Sequence, residues 1–138
     1  MVKVKQKVSM DRFYKGICIF TAVLFVYLFI QLFFLSDEFV KGLGLEPSLT
    51  SLVLARRVSM FMIGISALML TALSLNSKNR LIVCLPTGLT MIGLSCMGVF
   101  EYLAGHVNSS IFVAVTIESV LWISFAAIAI RDKASRSI

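Results

Sequence analysis

Polar side chains within apolar segments are the residues of this sequence that could do chemistry. They are a glutamine, two adjacent arginines and two glutamates, at Gln31, Arg56, Arg57, Glu101 and Glu118. A charge at the centre of a bilayer costs about 2.5–3.5 kcal/mol even on permissive insertion scales, so such a side chain is usually paired or faces a cavity. There an arginine can hold an anion, and a glutamate can act as a general acid or base. Glu118 and Glu101 are therefore the candidate catalytic residues if the protein is an enzyme.

The composition predicts that these residues lie in a membrane. Hydrophobic residues make up 59% of the 138 positions and charged residues 14%, whereas about a quarter of an average soluble domain is charged. Four apolar stretches each approach the roughly 20 residues that cross a hydrocarbon core, at about 13–35, 52–75, 81–103 and 111–130. Because the connections are short, neighbouring helices must be antiparallel. We therefore predict one membrane domain over residues 1–138, an all-α transmembrane four-helix up-and-down bundle.

Basic residues flank the spans asymmetrically. They precede the first span, lie in the second connection and follow the last span, at Lys3, Lys5, Lys7, Arg12, Lys15, Lys78, Arg80, Arg131, Lys133 and Arg136. The positive-inside rule then predicts that both termini are cytoplasmic. Because these charges lie at membrane edges, the net charge of +6 does not indicate a nucleic-acid partner. We expect a solvated or headgroup-bound N-terminal tail and an uncleaved signal anchor in a bacterial inner (cytoplasmic) membrane.

The depths of the polar residues are similar. At 1.5 Å per helical residue, Arg56 lies about 33 Å, Glu101 about 31 Å and Glu118 about 20 Å from the cytoplasmic end of its span. The same count places Gln31 at about 24 Å. All five residues therefore belong to the outer third of the bilayer, and the inner two thirds carry no ionisable residue.

Helix faces separate the two arginines. Adjacent helical residues point about 100° apart, so Arg56 and Arg57 cannot face the same neighbour. Arg57 shares its stripe with Gly64 and Thr71, and small residues mark close helix contacts in lipid. We therefore predict that Arg57 points into the bundle, whereas Arg56 lies on an apolar stripe and anchors to lipid headgroups.

These depths and faces predict an outward-facing ligand-binding pocket. Its core is formed by Arg57, Glu101 and Glu118. Further polar and aromatic residues at a similar depth could line it, namely Gln31, Tyr27, Tyr102, His106 and Trp122. The alternative is that Arg57 and one glutamate form an ion pair that only locks the bundle.

Cysteine and histidine usage gives no sign of a metal site or a disulfide framework. Cys18, Cys84 and Cys96 are odd in number, lie inside the predicted spans and form no CxxC pair. They are expected to be buried small hydrophobes. With a single histidine, the sequence offers no metal-ligand set, and it leaves any cofactor unknown.

Residues 39–70, "FVKGLGLEPSLTSLVLARRVSMFMIGISALML", carry a family resemblance. Their recurring elements are a leucine-glycine-leucine turn, a proline, an alanine-arginine-arginine and a later glycine, at Leu43–Leu45, Pro47, Ala55–Arg57 and Gly64. This set resembles the entry to the second helix of DoxX-like proteins, a group of small four-span membrane proteins. The resemblance implies that fold and, since some members are linked to membrane redox work, an accessory role or a quinone contact.

Three functions agree with these observations. The first, which we favour, is a non-enzymatic binding or accessory protein with a polar site in the outer-leaflet half of the bundle. The second is a quinone- or lipid-linked membrane enzyme subunit, and the third is an oligomeric small-solute transporter. The expected partners are membrane lipids together with a second copy of the chain or another membrane protein.

Overall fold

The residues that the structure describes form five α-helices, and the fold is all-α, as predicted. The computed structural model describes residues 2–77 and 79–134, with side chains from Met10 onward. The helices are α1 (Val2–Phe34), α2 (Ser36–Gly42), α3 (Leu49–Ala72), α4 (Leu81–Leu103) and α5 (Ile111–Ala134). Four of them are long and apolar enough to cross a membrane: α1 from Met10 onward, α3, α4 and α5. They define a small integral membrane protein.

Helix α1 extends further toward the N-terminus than the sequence suggested. The segment predicted as a solvated tail is helical from Val2. Its lysines and glutamine are good helix formers, and the first glycine of the chain comes only at Gly16, so nothing in the segment ends a helix.

Helix α2 lies in what was predicted to be the first loop. Asp37 and Glu38 lie in its first turn and Lys41 in its last, an arrangement that complements the helix dipole. The Lys41 ammonium is 2.6 Å from the Asp37 carboxylate, and this contact raises the pKa of Lys41.

The start of α3 is fixed by a reciprocal serine cap. The Ser48 hydroxyl accepts a hydrogen bond from the Ser51 amide at 3.1 Å, and the Ser51 hydroxyl accepts one from the Ser48 amide at 2.9 Å. The two bonds satisfy amides that have no partner inside the helix. The helix therefore begins at Leu49, three residues before the start of the predicted span.

The long helices associate as two close pairs. The closest backbone approaches join α1 to α3 and α4 to α5, whereas α1 and α5 approach each other over a shorter length. In the second pair, a Cβ added at Gly98 would lie 2.7 Å from Cγ2 of Val115. In the first pair, the Ser66 hydroxyl donates to the Ala22 carbonyl oxygen at 3.0 Å. Small residues thus bring the backbones together, as expected in lipid.

The packing face of α3 differs from the predicted one. Gly64, Ala67 and Thr71 are exposed. The buried positions of this helix carry other small residues and one methionine, namely Ala55, Ser59, Ser66, Met69 and Ala72. Small residues thus occur on two faces of α3, and spacing alone does not show which face meets α1.

The common core lies toward the end of the bundle that carries both termini, called here the termini end. Buried side chains from all four long helices meet there: Tyr14, Cys18, Phe25, Met69, Met91, Leu121, Phe125 and Ile128. The Tyr14 hydroxyl donates to the Ala72 carbonyl oxygen at 3.0 Å, and Arg131 contacts the Met10 sulfur at 3.2 Å. These contacts place the start of the first span beside the end of the last one. The opposite end, which carries α2, is called the α2 end.

Candidate functional site

The two helix pairs are packed against each other less completely at the α2 end. Along α5 the first fully buried residue is Leu121, although the helix begins at Ile111. Ala114, Ile117 and Glu118 continue the stripe of Leu121 toward the α2 end, yet they are only half-buried. Along α4 the last buried residue is Ser95. The residues of α4 and α5 that continue the core are therefore only partly covered toward the α2 end, and this partly covered region is called here the α2-end cleft.

Hydrogen bonds between two connections close the far end of the cleft. The Asn108 amide donates to the Leu43 carbonyl oxygen at 2.9 Å, and the Asn108 side chain donates to the Gly42 carbonyl oxygen at 3.1 Å. The Ser110 hydroxyl also donates to the Gly42 carbonyl oxygen, at 2.8 Å. The two pairs are thus tied at the α2 end by these bonds and at the termini end by the core.

A positive φ of 84° at Gly44 shapes this junction. Glycine adopts that conformation without the steric cost that a Cβ would add. A Cβ at Gly44 would also lie 3.1 Å from Nδ2 of Asn108. Both the backbone turn and the contact with Asn108 therefore favour glycine here.

Glu118 lies at the inner end of the cleft. It is three residues before Leu121 and seven before Phe125, both fully buried, so it shares their inward stripe. Its polar neighbour is the Ser95 hydroxyl, which lies 3.4 Å from the Ser119 hydroxyl. Among the residues that the structure describes, no lysine or arginine lies within ion-pair distance of Glu118. The site is a carboxyl group with two hydroxyl groups nearby.

Glu101 and His106 form a separate polar pair. Nδ1 of His106 is 2.7 Å from the Glu101 carboxylate, and the His106 amide donates to the Glu101 carbonyl oxygen at 3.0 Å. Tyr102 packs edge-on against Phe112, with ring centroids 4.6 Å apart. These contacts stabilise the turn between α4 and α5. The polar partner of the Glu101 carboxylate is therefore His106 and not Arg57.

Arg56 and Arg57 are both exposed on α3. Arg57 lines a shallow groove of about 400 Å³ on the outside of the helix, together with Leu49, Thr50, Val53 and Leu54. None of the ion pairs between described residues includes either arginine. Arg57 shares an exposed stripe of α3 with Gly64 and Thr71, and this stripe lies away from α1. The side chain of Arg57 therefore does not point into the bundle. The structure therefore does not bring Arg57 into an ion pair with Glu101 or Glu118.

The remaining predicted lining residues have different surroundings. Gln31 is half-buried on α1, whereas Tyr27 is 55% exposed. Trp122 is 36% exposed and lies one turn beyond Glu118 on α5, with Cδ1 3.8 Å from where a Cβ on Gly88 would be. Trp122 is thus the predicted lining residue nearest to Glu118 along the chain.

Arg80 is an important residue that the sequence reasoning assigned only to a loop. It is 5% exposed, forms an ion pair with Asp11, and holds its guanidinium carbon 4.3 Å from the centre of the Tyr14 ring. The signal in the sequence was Asp11, a single acid within the basic N-terminal segment. Arg80 therefore fastens α4 to α1 at the termini end.

The cysteines agree only in part with their expected burial. Cys18 and Cys84 are buried in the core, whereas Cys96 is exposed on α4. Within residues 2–77 and 79–134, no group of three or more cysteine, histidine or acidic side chains could hold a metal ion.

Comparison with known proteins gives no match: no family model, no curated protein and no solved structure matches this chain. The four apolar helices thus establish the class, a small four-span membrane protein.

Proposed function

We propose that this chain is a membrane-embedded binding or accessory protein whose α2-end cleft holds the polar head of an amphiphilic ligand at Glu118. The observation that carries the proposal is the position of Glu118 on the inward stripe of α5, beside a hydroxyl and without a basic partner among the described residues. A carboxyl group in that position is costly in a membrane unless it is paired or serves a ligand.

The groups at the site suit a ligand that donates hydrogen bonds. The carboxylate of Glu118 and the hydroxyl oxygens of Ser95 and Ser119 can all accept them. A quinol or a hydroxylated lipid is such a ligand. Its hydroxyl group can donate hydrogen bonds to the site, and its apolar body can remain in the surrounding bilayer. Glu118 lies seven residues into α5, about 10 Å from its start. A lipid-soluble molecule could therefore enter sideways from the bilayer.

The resemblance to DoxX-like proteins supports the same function. A quinone-linked membrane complex would place the chemistry in a partner and the ligand contact in this chain. In that setting both termini face the cytoplasm and the α2 end faces outward, as the charge distribution predicts.

Extraction from native membranes tests the proposal and identifies the ligand in the same experiment. Wild type and Glu118→Leu are isolated in polymer-bounded nanodiscs, and the small amphiphiles bound to each are identified by mass spectrometry. We expect a stoichiometric amphiphile with a hydroxyl or amine head in the wild type and its loss from Glu118→Leu. Glu46→Leu is the matched control, because Glu46 is an exposed glutamate in the connection before α3. The same bound molecules at the same stoichiometry in all three proteins would contradict the proposal.

A further inference from the structure

The exposed arginines of α3 lie within an apolar surface rather than at its edge. Leu54, which precedes the two arginines in α3, is 61% exposed, and Phe61, which follows them, is 70% exposed. Arg57 is eight residues beyond the first residue of α3, about 12 Å along the helix axis. An exposed arginine at that depth faces lipid, so it needs an anion or must reach the headgroup region.

The direction of α3 decides where the Arg57 side chain points. Helical side chains tilt toward the N-terminus of their helix, and the N-terminus of α3 is at the α2 end. Arg57 therefore extends over the residues three, four, seven and eight positions before it. Those are Leu54, Val53, Thr50 and Leu49, the residues that line the groove with it. The Arg57 side chain thus points toward the α2 end of α3, along the face that carries Thr50.

The charge of Arg57 is not neutralised by an ion pair within the described part of the chain. Asp11 and Asp37 form ion pairs there and Glu101 contacts His106, so the partners of these three carboxylates are residues other than Arg57. A phosphate group is a suitable partner from outside the protein, because guanidinium forms paired, charge-assisted hydrogen bonds with it.

We propose that the groove formed by Leu49, Thr50, Val53, Leu54 and Arg57 binds the phosphate and glycerol region of one anionic phospholipid from the leaflet at the α2 end. Arg57 holds the phosphate, the Thr50 hydroxyl adds a hydrogen-bond donor, and the exposed leucines and valine contact the apolar part of the lipid. The site is on the outside of α3 and is separate from the cleft at Glu118, so either proposal can fail without the other.

Native mass spectrometry with defined lipids tests this site. Delipidated wild-type protein is titrated with phosphatidylglycerol and with phosphatidylcholine of the same acyl chains. We expect the first phosphatidylglycerol to bind more tightly than phosphatidylcholine, and Arg57→Gln to weaken that binding about tenfold, as loss of a charged hydrogen bond would.

Arg56→Gln is the matched control. It removes the same charge from the adjacent position on the same helix, but Arg56 does not line the groove. Because Arg56 is expected to add only general attraction to headgroups, its substitution should weaken phosphatidylglycerol binding clearly less than Arg57→Gln does. Equal binding of the two lipids, or equal losses in the two arginine variants, would overturn the proposal, the latter by indicating general attraction to headgroups.

A partner protein with an acidic membrane helix is the competing occupant. It would be indicated if Arg57→Gln left phosphatidylglycerol binding unchanged and removed a copurifying protein that Arg56→Gln retained, a result that would also overturn the lipid proposal. Because Arg57 is exposed, its substitution should leave the melting temperature unchanged, and this measurement shows whether both variants are folded.

Discussion

Gly98→Ala perturbs the closest approach between α4 and α5. The added Cβ would lie 2.7 Å from Cγ2 of Val115 and 3.4 Å from Cγ1 of Ile111. Both neighbours are β-branched, and such side chains strongly prefer one χ1 rotamer in a helix, so neither can easily turn aside. Overpacking of this kind costs about 1–3 kcal/mol. Alanine also gains about 1 kcal/mol over glycine in helix propensity, which leaves a net destabilisation of up to about 2 kcal/mol.

Gly93→Ala isolates the packing contribution. Gly93 lies in the same helix, and a Cβ there would meet nothing within 4 Å, so only the propensity gain applies. The free energies of unfolding of the two variants should therefore differ by about 1–3 kcal/mol. Reversible unfolding in mixed micelles, followed by circular dichroism, measures this difference. Equal stabilities would refute the close approach of the two helices and the pairing derived from it.

Burial and hydrogen bonding lead to three further predictions, which concern Arg80, the three cysteines and Asn108. Arg80→Gln should lower the free energy of unfolding by about 1–3 kcal/mol, because it removes a buried charged donor from the half-exposed Asp11 carboxylate and from the Tyr14 ring; a wild-type value in the same titration would contradict this role. In detergent solution Cys96 should react with N-ethylmaleimide about tenfold faster than Cys18 or Cys84, since only local opening exposes buried thiols; peptide mass spectrometry measures the rates, and equal rates would show that the burial is wrong. Asn108→Ala should speed amide hydrogen exchange in the connection between α2 and α3, because it removes a side-chain bond across the cleft; unchanged exchange would argue against that tie.

Composition and span length were sufficient to predict the four long helices. The spans predicted at 81–103 and 111–130 begin at the same residues as α4 and α5, because charged or turn-forming residues precede both helices. Helix α2 was missed because seven residues are too few for a periodic apolar pattern. The start of α3 was placed late because it depends on hydroxyl-to-amide bonds of Ser48 and Ser51 rather than on hydropathy.

The candidate site could be predicted only in part. Depth follows from counting residues, so Glu118 and Arg57 could be placed along their helices from the sequence. The direction in which each side chain faces depends on which helices pair, and that information is not in a single helix. Arg57 was therefore assigned to the wrong face of α3, and the pairing of Glu101 with His106 depends on the turn that follows α4.

The division into two close pairs follows the order of the helices along the chain. Helices α1 and α3 precede α4 and α5 in the chain, so all residues of their small-residue contact are synthesised before those of the second pair. The pair α4 and α5 likewise forms its closest contacts internally. The closest contacts in each pair thus join helices from the same half of the chain. The ion pair between Arg80 and Asp11 and the shared core around Phe125 join these two halves of the chain at the termini end.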